Sequence, residues 1–192
     1  MSNCRALEQE LSVAFLGPLG TYSEEAANKQ FGGLSKPVQC ATIDEVFRLV
    51  ESRKADYGVI PVENSTEGAI GRSLDMLLQT SLHVCGEVDL AVHHNILSKA
   101  ADISAISKLY AHTQSLSQCH EWLNQNMPAA ERLAVASNAE ATRLAAENPE
   151  VAAIASKRAG ELYGLNLLAE NIEDDPRNTT RFLVIADHDV AP

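Results

Sequence analysis

Several short stretches carry residues whose types and spacing suit anion binding. Thr21 and Ser23, Asn64-Ser65-Thr66, Ser115, and Ser137-Asn138 each stand where an apolar run gives way to a helical pattern. At the first turn of a helix the amides lack intrahelical partners and carry partial positive charge. Two or three such turns aimed into one cleft hold carboxylates or phosphates without Lys or Arg. For any one of them, simple capping is the ordinary role. Gly17 to Ser23 and Asn64 to Gly68 stand out, because their glycines let backbone approach a ligand closely.

Other chemistries find less support. Gly17-Pro18-Leu19-Gly20 is neither a Walker loop nor Gly-x-Gly-x-x-Gly, so no nucleotide site is indicated. No Gly-x-Ser-x-Gly elbow exists for a Ser-His-Asp hydrolase. His112, Cys119 and His120 cluster, but their spacing fits no usual zinc pattern and a fourth ligand is missing, so no metal is expected. His93 and His94 fall on opposite faces of a strand. In Asp174 to Phe182, polar residues crowd before an apolar strand. Composition alone reads that stretch as a solvated loop, with Arg181 pairing Asp174 or Asp175.

The elements that must position these residues alternate. Leu11–Leu16 reads as a strand, and Thr21-x-x-Glu24 opens a helix to about Phe31, stopped by Gly32-Gly33. Pro37–Ala41 is a strand and Thr42-x-x-Glu45 a cap. Tyr57–Val62 is a strand, and Asn64–Glu67 leads to a helix with Ile70, Leu74, Leu77 and Leu78 inward. Val84–Leu97 is a long β-like run, suited to carry the chain between lobes. Strands at Lys108–Ala111, Leu133–Ala136, Val151–Ala155, Leu167–Ile172 and Arg181–Ala186 follow. Helices at Ser115–Asn126, after Ser137, and at Ser156–Tyr163 intervene. This pace predicts an α/β protein of two lobes, residues 11–83 and 84–175. The last segment, 176–192, returns to the first lobe, giving two crossovers and a cleft, and residues 1–10 form a linker.

Composition bounds the function. The chain has 192 residues, 45% hydrophobic and 21% charged, which excludes disorder for most of it. No apolar run is long enough to span a bilayer. The 26 Asp and Glu outnumber 15 Lys and Arg, for a net charge of −11. That argues against nucleic acid and against anionic membranes as partners. An anionic substrate would need locally placed donors, since the long-range field repels it. Met1–Glu10 lacks the apolar core of a signal peptide. Cys4, Cys40, Cys85 and Cys119 form no Cys-x-x-Cys pair and read as reduced thiols in a cytoplasmic protein.

Five segments, in order, resemble one family. Asn178-Thr-Thr-Arg-Phe182 resembles the Thr-Arg-Phe motif of prephenate dehydratases. Gly17-Pro-Leu-Gly-Thr-Tyr-Ser23 resembles their first loop, and Gly58-Val-Ile-Pro-Val-Glu-Asn-Ser65 their Pro-x-Glu-Asn-Ser segment. His112-Thr-Gln-Ser-Leu-Ser-Gln-Cys119 resembles their His-x-Gln…Gln-Cys stretch, and Ala155 to Leu165 the segment before the catalytic loop. Two departures stand out. Thr113 replaces a frequent Pro, and Ala111 replaces a frequent Ser, so no substrate role passes to position 111.

The resemblance implies a two-lobed fold like the type-II periplasmic binding proteins, with the site in the interlobe cleft. It implies a cytoplasmic lyase of phenylalanine biosynthesis, turning prephenate into phenylpyruvate, water and carbon dioxide without metal or cofactor. Thr180 is then the group that donates to the departing oxygen. Thr21, Asn64, Ser65, Gln118 and Arg181 would hold the substrate, with Ser23 and Phe182 as further candidates. Glu63 is an alternative acid that would need a raised pKa. Family members commonly dimerise and continue into a phenylalanine-binding ACT domain. Cys4-Arg-Ala-Leu-Glu-Gln9 resembles the tail of a chorismate mutase domain. The expectation is therefore a dehydratase domain from a fused protein, insensitive to phenylalanine. An arogenate dehydratase and a non-catalytic anion-binding module are the rival readings.

Overall fold

The structure, a computed structural model, describes residues 10–33 and 35–188. In chain order the elements are β1 (Ser12–Leu16), α1 (Tyr22–Phe31), β2 (Lys36–Cys40), α2 (Ile43–Glu51), β3 (Tyr57–Asn64), β4 (Gly68–Ala69) and α3 (Gly71–Gln79). Next come β5 (His83–Ala91), β6 (Asn95–Ser98), β7 (Lys108–Ala111), α4 (Thr113–Gln118), α5 (His120–Asn126) and β8 (Glu131–Ala134). The last are α6 (Asn138–Glu147), β9 (Val151–Ala155), α7 (Lys157–Tyr163), β10 (Asn166–Ala169) and β11 (Thr179–Ala186).

They build two sheets. The first runs β2-β1-β3-β11-β5, with β4 on β3, and the second runs β10-β6-β9-β7-β8. β1 is parallel to both neighbours, while β11 lies antiparallel between β3 and β5. The chain crosses between sheets after β5 and returns before β11, so two crossovers frame a cleft. Helices cover both faces of the first sheet. Ala26 and Ala27 of α1 pack with Phe15, Val88 and Phe182 on one side, and Val46, Phe47 and Val50 of α2 with Ile60 and Ile185 on the other. In the second lobe, Ala141 and Ala145 of α6 meet Ala153 of β9, small residues that let helix and strand approach closely. Leu123 of α5 and Met127 just after it cover the opposite face against Leu109 and Ile154. Fully burying one large apolar side chain stabilises by about 1.5–3 kcal/mol.

Several expectations are corrected. The lobe boundary is not at Val84: β5 stays in the first sheet through Ala91, because β11 needs a partner on its second edge. The helix expected over Ser115–Asn126 breaks at Cys119. The break is stabilised from the return crossover, where the Asp174 carboxylate accepts from the Glu121 and Trp122 amides at 3.0 and 3.1 Å and so caps α5. Asn64–Glu67 does not start a helix but forms a turn before β4, and α3 begins after Ile70 with no side-chain cap. Leu74 and Leu78 of α3 are exposed rather than inward. The strand expected to Ile172 ends at Ala169. Cys40, Cys85 and Cys119 are free thiols. Cys4, the linker at 1–9 and the tail at 189–192 lie outside the described residues. No helix among the described residues is long and apolar enough to cross a membrane.

Candidate active site

Four helix N-termini surround one cavity in the interlobe cleft. Thr21, Ser137 and Ser156 are N-caps whose hydroxyls accept from the Glu24, Glu140 and Ala159 amides. His112 caps α4, its Nδ1 accepting from the Gln114 amide at 3.2 Å. Its Nε2 therefore carries the proton in the neutral ring. Asn138 ties two of these ends together: Oδ1 accepts from the His112 amide at 2.9 Å, and Nδ2 donates to Ser115 Oγ at 2.8 Å. The cavity measures about 380 Å³, and Thr21, Ser23, His112, Gln114, Asn138 and Ser156 all line it. Among the described residues, no Asp, Glu, Lys or Arg lines it. What it offers an anion is amides, hydroxyls and helix dipoles.

Thr180 and Phe182 of β11 also line this cavity, opposite Pro61. Strand pairing puts Thr180 beside Asn64. Asn64 Nδ2 donates to Thr180 Oγ1 at 2.9 Å, while Asn64 Oδ1 accepts from the Thr66 and Glu67 amides at 2.9 and 3.3 Å. The turn thus fixes the Asn64 amide, and the amide fixes the threonine. A hydroxyl that accepts from Asn64 keeps its own proton for another acceptor.

Period-two alternation removes other candidates from this cavity. Arg181 and Glu63 face the outer side of the sheet, around a smaller depression with Ser65, Asp89 and Thr179. Arg181 pairs with Glu87 at 3.0 Å and Asp89 at 3.5 Å, not with Asp174 or Asp175. This geometry supports the bracing role for Arg181 rather than contact with substrate. Arg181→Ala is accordingly expected to change kcat/KM less than about threefold, since exposed ion pairs contribute about 0–1 kcal/mol. Steady-state rates against the parent chain check it. Ser65 is structural too: its Oγ accepts from the Thr179 amide at 2.8 Å. Gln118 lines a separate cavity of about 180 Å³ with Thr66, Glu173, Asp174 and Asn178.

The lobes touch where α1 meets α7. Ser156 Oγ donates to Gly20 O at 3.2 Å, and Arg158 Nε donates to Glu24 Oε1 at 3.0 Å. The Glu24 carboxylate is buried, with 4% of its side chain exposed. Burial, and then the neighbouring Glu24 charge, push the Glu25 carboxyl above its ordinary pKa. Gly20 has φ +87°, and a Cβ there would lie 3.2 Å from Ala159.

Of the residues singled out by sequence, Thr21, Ser23, Thr180 and Phe182 share the main cavity, and Asn64 holds one of them. Ser137 and Asn138, noted as one turn among several, join them. Sequence reasoning left out Ser156, His112, Gln114 and Tyr22 as site residues. Ser156 reads as a cap and the others sit inside the matched segments, but nothing in one sequence shows that their helices converge.

Residues 13–190 match the family described as prephenate dehydratase. The chain is 53% identical to a bifunctional chorismate mutase/prephenate dehydratase of Neisseria gonorrhoeae, over 98% of this chain and 53% of the relative. It is 42% identical to arogenate dehydratase 5, chloroplastic, of Arabidopsis thaliana, over 95% of this chain and 43% of that protein. The solved prephenate dehydratase of Arthrobacter aurescens, in complex with L-Phe, superposes with a TM-score of 0.86 at 28% identity, covering 95% of this chain and 62% of that one. The chain thus spans about half the length of the curated relatives it matches.

Proposed function

The chain belongs to the prephenate dehydratase family, and from that premise we propose that it converts prephenate to phenylpyruvate, water and carbon dioxide. The observation that carries this reading is a cavity lined, among the described residues, by no Asp, Glu, Lys or Arg, ringed by four helix N-termini, with the Thr180 hydroxyl held by Asn64. Prephenate is a dianion with one ring hydroxyl. The helix ends suit its carboxylates. As the ring carboxylate leaves as carbon dioxide, the electron pair of the broken bond enters the ring. The C–O bond to the hydroxyl then breaks, and the departing oxygen takes one proton to leave as water.

Aromatisation supplies the driving force, so the protein's task is orientation and stabilisation of the leaving oxygen. Thr180 Oγ–H, its lone pair engaged by Asn64, is placed to donate there; the net proton comes from solvent. This chemistry calls for no metal or organic cofactor. The reading carries with it a place in phenylalanine biosynthesis, a cytoplasmic location and a homodimer, as the resemblance implies.

The cavity also bears on the choice of acid. Arogenate carries an α-ammonium where prephenate carries a ketone. With no carboxylate on the cavity lining, that ammonium would lose hydration without gaining a counter-charge. The expected result is a kcat/KM for prephenate at least about tenfold above that for arogenate. Phenylpyruvate is read as its enolate after adding base, and phenylalanine by chromatography, each against a no-enzyme control because prephenate aromatises in acid. Equal or better turnover of arogenate would replace this reading with the arogenate one. Tight binding with no product from either acid would leave an anion-binding module.

A further inference from the structure

Resting on the dehydratase reading, we propose that His94, a buried residue of the outgoing crossover, is a positioning residue for this reaction: its Nε2–H fixes the Gln118 amide and, through it, the side chains that hold Thr180. His94 is 3% exposed, and its Nε2 lies 2.7 Å from Gln118 Oε1. The same oxygen accepts from Asn178 Nδ2 at 3.2 Å. The reverse amide orientation would set N–H groups against each other, so Oε1 faces His94 and the imidazole must donate.

From Asn178 the chain of contacts continues inward. Asn178 is itself buried, and its Oδ1 accepts from Thr66 Oγ1 at 2.8 Å. The Thr66 amide donates to Asn64 Oδ1, and Asn64 Nδ2 donates to Thr180 Oγ1, each at 2.9 Å. Each link helps hold the next in place, through the Thr66 backbone at the turn. The path joins both crossovers, since the His94 amide also donates to Glu173 Oε2 at 2.9 Å and Ile172 N to His94 O at 2.9 Å. Burial opposes the Glu173 charge, but the hydrogen bonds from His93 and the His94 amide outweigh it and hold that carboxyl below its ordinary pKa.

The other ring nitrogen, Nδ1, is buried without a hydrogen-bond partner. An orphaned buried acceptor is costly, and an apolar side chain would avoid it. What the imidazole supplies in exchange is the Nε2–H. Burial also pushes its pKa below the ordinary histidine value, which favours the neutral ring.

The test compares His94→Gln, which keeps an N–H donor near the Nε2 position, with His94→Leu, which does not. His94→Leu is expected to lose about ten- to a hundredfold in kcat with KM within about threefold, because misplacing a reacting group costs rate more than binding. His94→Gln is expected to recover most of the rate. Nitrogen NMR of the wild-type protein, independent of any variant's folding, should show His94 neutral with its proton on Nε2. An Nδ1–H tautomer, wild-type kcat in His94→Leu, equal losses in both variants, or a loss confined to KM would each overturn the role. A wild type that makes no phenylpyruvate would overturn the function itself, and the positioning role with it.

Discussion

Thr180→Ala is expected to lower kcat by about a hundred- to a thousandfold, the range for removing one preorganised donor from a developing charge. Thr180 is 8% exposed and lines the interlobe cavity. Among the described residues its hydroxyl is held by Asn64 Nδ2 at 2.9 Å. Alanine removes the hydroxyl and a methyl group while leaving β11 paired on both sides. The freed Asn64 donor is half-buried and reaches water entering the cavity, so the loss of stability should stay near 1 kcal/mol. Thr180→Ser keeps the donor and should retain rate within about tenfold. Thr180→Val keeps the shape without the donor and should behave like alanine. Enolate absorbance gives the rates, and thermal melts give the stability. A valine variant with wild-type kcat would remove Thr180 from the chemistry, and an alanine variant that melts out at assay temperature would make the loss structural.

Much of this arrangement is legible in the sequence, for local reasons. Thr21, Thr42 and Ser137 each precede a glutamate by three residues, and in the structure each hydroxyl accepts from that glutamate's amide. Gly164 closes α7 at φ +63°, a conformation glycine adopts readily. These signals span a few residues, so one sequence contains them. The position of Arg181 is legible in part. Thr180 and Phe182 share a face, so a strand with Thr180 in the cleft must turn Arg181 and the cross-strand Glu63 outward. The resemblance groups adjacent motif residues together, whereas the pleat separates them.

What the sequence hides is long-range. β5 pairs with a strand about a hundred residues later, and that pairing sets the lobe boundary at Ala91. The break at Cys119 depends on Asp174, a residue distant in the chain that caps α5. Leu78 of α3 follows a helical apolar pattern yet is 86% exposed, while its neighbours Met76 and Leu77 pack against the core that α2 covers. That Thr21 and Ser156 share a cavity follows only from the closing of two lobes on one another.

That closing rests on Gly20, and Gly20→Ala should cost both stability and at least about tenfold in kcat/KM. At φ +87° a Cβ is strained by about 1–2 kcal/mol. It would also lie 3.2 Å from Ala159 Cα and Cβ and 3.3 Å from Leu162 Cδ1, tighter than ordinary contact. Ala159 belongs to α7 in the other lobe, so relief requires the two lobes to part. Parting them moves Thr21 and Ser23 away from Ser137 and Ser156, which spreads the donors meant for one dianion. It also stretches Ser156 Oγ to Gly20 O and Arg158 to Glu24, leaving a buried carboxylate short of its cation. Because Gly20 lines the cavity itself, Ala159→Val serves as the second variant: it presses on the same contact from outside the cavity and leaves Gly20's φ alone. Both should lose rate together. Ile154→Val, buried within the second lobe, should lose about 0.5–1.5 kcal/mol of stability yet keep its kinetics within about twofold. If Gly20→Ala and Ala159→Val melt earlier but turn over prephenate at the parent rate, lobe contact is not what assembles the site.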